Sequence, residues 1–243
     1  MIRWQTLENS AAKAIWKDTP EFRGRRIPLI ESPDEGCSPQ AKIIEQAASS
    51  LVGSHYHRQF QFQIVTAGSG TIGRTPVHPL TVQYSSPETG YGPIAAGPEG
   101  LSYYVLRPAR DAGAMFLPRA RDEMTPGMPK HHAVSRPVPP RERQALRQLA
   151  GPVVESCLAP TPEGMAVWRV GLPPDSPLVA TDLPGEGPRF YYVAAGAMVL
   201  PDKVLETGSV CFVHGEDDFR LQAGQDGVEL LALQFPVEAV PSA

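Results

Sequence analysis

Short apolar runs alternate with turn residues along the whole chain. In the first half, the runs that predict strands are AKIIEQA, SSLVGSHYH, FQFQIVTAG, LTVQYSS and LSYYVLRP. In the second half, they are MAVWRVGL, RFYYVAAG, SVCFVHG, FRLQAG and VELLALQF. Strands of this length, separated by Gly, Pro and Ser turns, are typical of an all-β barrel or sandwich. The 27 prolines and 22 glycines follow no period, which agrees with many tight turns.

Two segments of the first half recur in the second half in the same order. QIVTAGSGTI (63–72) aligns with YYVAAGAMVL (191–200) at a separation of 128 residues. AGPEGLSYYVLRP, starting at residue 96, aligns with AGQDGVELLALQFP, starting at residue 223, at a separation of 127 residues. Because the two separations differ by a single residue, we interpret the chain as a tandem duplication with one small loop deletion.

A proline-rich stretch separates the two copies and sets the predicted domain boundaries. Residues 118–140 contain six prolines among Arg, Lys and Asp, a composition that cannot form a central strand. The stretch runs into PRERQALRQLA, where Leu146 and Leu149 share one face of a short predicted helix. The predicted organisation is an N-terminal arm (1–26), a first barrel (27–117), a linker with a short helix (118–150) and a second barrel (151–243).

Composition and charge argue against several classes of protein. The net charge of −4 disfavours nucleic-acid binding, and the basic cluster at 23–26 is short enough to be an ordinary solvated face. Cys37, Cys157 and Cys211 are odd in number and far apart, which indicates reduced thiols rather than disulfides or a zinc site. No apolar run approaches the roughly 18 residues of a membrane helix, and no signal-peptide core is present. We therefore expect a cytoplasmic protein without nucleic-acid or membrane partners.

The segment SHYHRQFQFQIVTAGSG (54–70) holds the strongest candidate chemistry. On an extended strand, one face would carry His55, His57, Gln59, Gln61 and Gln63, although a β-bulge could break this alternation part way. Each buried polar group without a partner costs roughly 1–3 kcal/mol. A metal, an organic ligand or trapped water would supply the missing partners inside a barrel.

This segment resembles the first sequence motif of the cupin superfamily. Gly53, His55, His57 and Gly68 match that motif, and Gln61 stands where the family usually has glutamate. The phrase YGPIAAGPEGL is similar to a subgroup of uncharacterised bacterial cupins. With the internal repeat, the resemblance implies a bicupin, an all-β protein of two tandem double-stranded β-helix (jelly-roll) barrels.

The resemblance also implies a metal site in the first barrel. His55, His57 and Gln61 are its expected ligands, and Tyr91 occupies the place where a cupin usually has a further histidine. Imidazoles suit one divalent transition metal (Fe, Ni, Cu, Zn or Mn), whereas an amide oxygen is a weaker, neutral ligand. A carboxylate is missing from the set unless Glu45 points inward. The sequence leaves open a polar pocket in which the same residues bind an organic ligand without metal.

Further roles follow for the residues around these candidates. Tyr91 and Gln63 are expected to act in catalysis by donating hydrogen bonds to developing charge. The remaining expected members of the ligand pocket are Gln59, Glu45 and Tyr103.

The second barrel is predicted to lack a metal site. The residues that align with His55, His57 and Gln61 are Leu183, Gly185 and Arg189, and Phe219 aligns with Tyr91. The remaining histidines are expected outside the site. They are a loop residue, two linker residues and a strand-end residue: His78, His131, His132 and His214.

Two functions of different classes agree with these residues. The first is a metal-dependent bicupin enzyme that acts on a small polar substrate, anionic or enolisable, as a dioxygenase, isomerase, lyase or hydrolase. The alternative is a non-catalytic binding or sensory module whose first barrel holds an organic ligand. A homodimer is expected by analogy with other cupins alone.

Overall fold

The computed structural model of the protein describes residues 1–31, 38–179, 182–215 and 219–240. The described chain is almost entirely antiparallel β-structure, which confirms the predicted fold class. It divides into two compact units. The first unit is Ser10–Val138, and the second unit combines Met1–Asn9 with Pro139–Ala243.

The elements of the first unit follow the initial strand β1 (Ile2–Gln5) and the short helix α1 (Glu8–Ala11). They are β2 (Ile15–Thr19), β3 (Phe22–Ile30), β4 (Gln40–Gln46), β5 (Leu51–Val52), β6 (His55–Tyr56), β7 (Gln61–Ile72), β8 (Thr75–Val77), β9 (Val82–Ser85), β10 (Ile94–Arg107), β11 (Met115–Phe116) and β12 (His132–Val134). The main path of the larger sheet is β12-β9-β7-β10-β4-β3-β2, and β11 pairs with β6 in a separate two-stranded sheet. A short 3-10 helix, Arg121–Glu123, follows β11.

The second unit repeats this pattern after the helix α2 (Arg143–Arg147). Its further strands are β13 (Val153–Leu158), β14 (Ala166–Leu172), β15 (Pro177–Val179), β16 (Arg189–Leu200), β17 (Lys203–Glu206), β18 (Val210–Val213) and β19 (Arg220–Gln234), followed by a 3-10 helix, Val237–Ala239. The main path of its sheet is β1-β18-β16-β19-β14-β13. FRLQAG and VELLALQF, which read as two strands in the sequence, form the single bent strand β19.

The same glycine crossing occurs in both units. Gly68 on β7 and Gly196 on β16 have positive φ angles of 73° and 74°. A Cβ atom on Gly68 would lie 2.1 Å from the carbonyl oxygen of Gly100, and one on Gly196 would lie 2.2 Å from that of Gly227. Only glycine permits both this backbone conformation and this close approach. The repeat in the sequence therefore corresponds to a repeated bulged crossing of two long strands.

The interiors of the two units differ in kind. The second is filled by a large apolar cluster that includes Trp168, Leu183, Tyr191 and Phe219. The corresponding cluster of the first unit is smaller, and Tyr91 and Tyr103 belong to it. The first unit therefore keeps room for a cavity at the place where the second is packed with side chains.

The N-terminal residues contribute strands to both units. β1 pairs with β18, from Ile2 opposite Val213 to Gln5 opposite Val210, and thus extends the sheet of the second unit. β2 and β3 form a hairpin in the first unit. None of these three strands was predicted, because β1 and β2 are partly or fully exposed and lack a regular apolar alternation.

The predicted short helix and cysteines can also be located. The helix α2 spans Arg143–Arg147, and its Leu146 side chain is fully buried. Cys157 and Cys211 are free thiols, whereas Cys37 lies outside the described residues. Within the described ranges, no helix has the length and apolar character needed to cross a membrane.

Candidate functional site

A cavity of about 450 Å³ lies inside the first unit. Its walls come from β2, β3, β4, β6, β7 and β10 and from the segment that follows β10. Six predicted site residues line it together, namely His55, His57, Gln61, Gln63, Tyr91 and Tyr103. A larger cleft of about 610 Å³ on the second unit is lined by no histidine, cysteine or tyrosine among the described residues.

Two predicted pocket residues, Gln59 and Glu45, are not among the residues that line this cavity. Gln59 falls in a break of the strand, because β6 ends at Tyr56 and β7 begins only at Gln61. Glu45 accepts a hydrogen bond from Arg25 Nε at 2.5 Å. Its neighbours Lys42 and Ile44 face the cavity, so that the alternation along β4 directs Glu45 to the other side.

His57 is held between a carboxylate and a guanidinium. Its Nδ1 lies 2.7 Å from Asp111 Oδ2, and its Nε2 lies 3.1 Å from Arg107 Nη2. Because a guanidinium can only donate, Nε2 accepts this bond and the Nδ1 proton points to Asp111. Burial and the positive charge of Arg107 lower the pKa of His57 to about 4, although the hydrogen bond to Asp111 opposes the shift. His57 is therefore neutral at physiological pH.

Arg107 lines the cavity and is 1% exposed. Its Nε donates to Gln61 Oε1 at 3.0 Å, and its Nη1 lies 3.5 Å from Asp111 Oδ2 and 3.4 Å from Gln40 Oε1. Burial lowers the pKa of Arg107, although the Asp111 carboxylate opposes the shift. An arginine pKa begins so high that the side chain stays charged.

Asp111 completes this group. Burial alone would raise the pKa of Asp111, but the hydrogen bond from His57 and the charge of Arg107 lower it to about 2. The backbone N–H groups of Arg58 and Gly113 also donate to its carboxylate, at 3.2 and 3.0 Å. Asp111 is thus ionised and balances the charge of Arg107.

Arg107 and Asp111 were not predicted from the sequence, although the repeat contains a signal for Arg107. At the separations of 128 and 127 residues, Gln61 corresponds to Arg189 and Arg107 corresponds to Gln234. In the second unit, Arg189 Nε donates to Gln234 Oε1 at 2.9 Å. Both barrels thus contain a buried Arg–Gln pair between the same two strands, with the two residues exchanged. Arg189 lies over the Trp168 ring, 5.4 Å from its centroid, in a packed interior.

The centre of the cavity holds polar atoms that no described residue satisfies. His55 Nδ1 is bonded to the Gly53 carbonyl oxygen at 2.7 Å, which leaves its Nε2 as an acceptor without a partner in the described chain. Gln63 Oε1 is buried and also lacks a partner there. Burial lowers the pKa of His55, so that this ring is neutral as well.

Tyr91 supplies a donor beside these two acceptors. Its hydroxyl oxygen accepts a hydrogen bond from Gln61 Nε2 at 2.7 Å, and Gln63 Nε2 lies 3.5 Å away. Burial raises the pKa of Tyr91 to about 12, which outweighs the opposite effect of the Gln61 bond. The hydroxyl therefore keeps its proton, and no described group accepts it.

Positive side chains dominate the remaining lining. Lys17, Arg26, Lys42 and Arg119 join Arg107 around the cavity, whereas Glu21 is the one carboxylate among the described lining residues. Phe22 and Phe116 add aromatic surface to the same walls. Such a lining attracts anions and also accommodates apolar groups.

Comparisons with known proteins identify the architecture. No protein-family model and no curated protein sequence matches the chain. Among solved structures, Escherichia coli pirin YhhW in complex with nickel(II) matches with a TM-score of 0.57 and 14% identity, over 97% of this chain and 99% of that one. A salicylate 1,2-dioxygenase from Pseudaminobacter salicylatoxidans matches with a TM-score of 0.60 and 13% identity, over 96% and 83% of the two chains. The chain has a bicupin fold.

A third similar structure is an oxalate decarboxylase of Bacillus subtilis. It matches with a TM-score of 0.56 and 12% identity, over 96% of this chain and 76% of that one. At this level of identity, the three similarities concern the fold, and the chemistry of the site has to be argued from the residues of this chain.

The residues of this site do not fit a resident divalent metal. Both histidines do fix Nδ1 as a donor and turn Nε2 inward, as metal-binding histidines do. However, two of the expected ligand atoms are already engaged. His57 Nε2 and Gln61 Oε1 both accept hydrogen bonds from the positively charged Arg107. No group of three His, Cys, Asp or Glu residues suited to a metal occurs in the described chain. A divalent cation would therefore lie against a guanidinium without a carboxylate ligand.

Proposed function

We propose that the first barrel of this bicupin binds a small organic anion and that Arg107 is the fixed positive charge at the centre of the site. The observation that supports this proposal is the lining of the cavity, with five cationic side chains and one carboxylate. Arg107 and Asp111 compensate each other, and Arg119 lies 3.9 Å from Glu21, so that the net attraction comes chiefly from Lys17 and Arg26.

The polar atoms at the centre narrow the chemistry of the ligand. Tyr91 offers a hydroxyl proton, while His55 Nε2 and Gln63 Oε1 offer acceptors. An anion that also carries a hydroxyl or carbonyl group would supply partners for these atoms, of which Gln63 Oε1 is buried without one in the described chain. The names of two similar structures, a salicylate dioxygenase and an oxalate decarboxylase, agree with organic acids as ligands of this fold.

The metal-dependent reaction predicted from the sequence remains a prediction that elemental analysis tests directly. We would measure transition metals in untagged wild-type protein and in the His55→Ala/His57→Ala double variant, as purified and after loading with each divalent ion. We expect less than stoichiometric metal in both proteins. Stoichiometric metal that disappears in the double variant would overturn the assignment of Arg107 as the central cation.

Anion binding is tested separately by thermal shift and calorimetry with oxalate, salicylate, lactate and pyruvate. We expect at least one anion to stabilise the wild type, and Arg26→Gln to weaken that binding about tenfold. Arg23→Gln is a matched control on the same strand, because Arg23 is exposed and does not line the cavity. Failure of every anion to bind, or equal effects of the two variants, would contradict the proposal.

A further inference from the structure

Lys42 is a cavity residue to which the anion-binding proposal assigns no role. It lies in the middle of β4, opposite Val105 of β10 on one side and Pro28 of β3 on the other. Ile44, two residues along the same strand, lies opposite Tyr103 and Arg26. Because directly opposed residues share a face, Lys42 belongs to the inward row that also presents Val105 and Ile44 to the cavity.

The ammonium group of Lys42 has no hydrogen bond or ion pair in the described chain. The charged groups that act on it are Lys17 of β2, Arg26 of β3, Arg107 of β10 and Asp111, which follows β10. Asp111 is the one anion among them, and its carboxylate is already bonded to His57 and to two backbone N–H groups. The surroundings of Lys42 are therefore partly buried and mostly positive.

These surroundings favour the neutral amine. Burial and, to a smaller extent, the charges of Arg107 and Arg26 lower the pKa of Lys42 to about 7, although Asp111 opposes the shift. A neutral lysine amine is a nucleophile, and burial and neighbouring cations are two ways in which proteins activate it.

We infer that Lys42 is a nucleophilic amine and that the anion of the proposed function carries a carbonyl group with which Lys42 condenses to an imine. The inference rests on the proposed function, because the neighbouring cations must first attract the anion. The ligand class is a small 2-oxo or formyl carboxylate. Its carboxylate would be attracted by Arg26 and Lys17, while its carbonyl carbon meets the amine.

The condensation balances without any further reactant. The Lys42 Nζ lone pair attacks the carbonyl carbon, and the π pair moves to oxygen, which gives a carbinolamine after proton transfer from nitrogen. The C–O bond then breaks as the C=N bond forms. The carbonyl oxygen departs as water with the two hydrogens of the amine, and no atom is oxidised or reduced.

Reductive trapping tests the inference on the whole protein. Wild-type protein is incubated with glyoxylate or pyruvate and sodium cyanoborohydride, and peptides are mapped by mass spectrometry. The chain has five lysines, Lys13, Lys17, Lys42, Lys130 and Lys203, and an α-amino group at Met1, so that every possible adduct can be assigned. We expect one adduct at Lys42, formed at least about tenfold faster than at the other lysines, because more of its amine is neutral.

Two variants serve as matched controls. Lys42→Arg keeps the positive charge and removes the nucleophile, whereas Lys17→Arg makes the same change at another cavity lysine. Trapping is expected to disappear in the first variant and to persist in the second. If Lys42→Arg fails to fold, peptide mapping of the wild type still shows whether the adduct forms at Lys42. Trapping spread evenly over the lysines, or undiminished in folded Lys42→Arg, would overturn the inference.

Lactate separates the two proposals, because it is an anion that lacks a carbonyl group beside its carboxylate. If lactate or pyruvate stabilises the protein and no adduct forms at Lys42, the imine inference is wrong and the anion site stands. If no anion binds and no adduct forms, both proposals are wrong. An adduct at Lys42 that lactate suppresses would support both.

Discussion

Arg107 determines the chemical state of its neighbours at the centre of the first barrel. It engages the Nε2 atom of His57 and the Oε1 atom of Gln61, and Asp111 orients the opposite side of the same imidazole. Removing one member of such a buried group leaves the others without compensation, which costs more than the intact group contributes.

The Arg107→Gln variant is expected to lose about 3–5 kcal/mol of unfolding free energy in the first unit, since it leaves Asp111 as an uncompensated buried charge. Urea denaturation followed by amide exchange of the first-unit strands measures this loss. The exposed neighbour Arg110 provides the control, and Arg110→Gln is expected to change the free energy by about 0.5 kcal/mol or less. Similar losses in both variants would contradict the role assigned to Arg107.

Acid is expected to destabilise the first unit in two steps. The folded pKa of His57, about 4, lies below its unfolded value, so that the unfolded chain binds more protons between about pH 6.5 and 4. Stability is therefore complete above about pH 6.5, and about 3 kcal/mol is lost as the pH falls to 4. Asp111, with a folded pKa of about 2, adds a further loss below its ordinary value near 3.8.

The His57→Asn variant should show a smaller loss of stability between pH 6.5 and 4 than the wild type. Unfolding midpoints in urea, measured across this range, test the difference. His78 is exposed, and His78→Asn should therefore keep the wild-type profile. A profile of His57→Asn that matches the wild type would show that another group causes the acid transition.

The sequence pattern predicted the strands more completely than it predicted the residues of the site. Runs such as AKIIEQA and FQFQIVTAG became β4 and the first part of β7, because their alternation survives in the sheet. The same alternation placed His55, His57, Gln61 and Gln63 together. It could not place Gln59, since the chain bends between β6 and β7 and the alternation does not hold in that break, which depends on tertiary pairing rather than on local sequence.

Arg107 and Asp111 were missed for a related reason. An arginine at a strand end ordinarily reads as a solvated residue. Here it is buried because Asp111 lies in the turn four residues later and because Gln61 lies opposite on another strand. The repeat in the sequence contains the exchanged pair Arg189 and Gln234. That these two residues are in contact follows only from the pairing of their strands in the structure.

The bulged crossing at Gly68 should be intolerant of a side chain. In Gly68→Ala, the new Cβ would approach the Gly100 oxygen at 2.1 Å with φ at 73°, so that the strands must separate. We expect a loss of at least about 3 kcal/mol, which combines left-handed strain with a backbone clash. Gly73→Ala is the control, because its φ is 60° but its nearest contact is 3.5 Å, and about 1 kcal/mol is expected. Equal losses in thermal or urea unfolding would contradict the clash.

At the scale of the whole molecule, the initial strand is expected to matter for the second unit alone. Deletion of residues 1–9 removes β1, exposes the edge of β18 and removes Trp4 from its place against the second core. We expect a lower melting temperature or faster aggregation of the second unit, with unchanged anion binding in the first. Amide exchange resolves the two units, and equal loss of protection in both would refute this expectation.

The pairing of Ile2 with Val213 has a consequence for biosynthesis. At about 5–20 residues per second, the ribosome needs about 10–40 s to supply the partner strand after it has made β1. Every strand of the first unit is synthesised within that interval. All strands of the first barrel can therefore pair while β1 still lacks its partner strand, so that β1 is the segment most in need of protection from aggregation during synthesis.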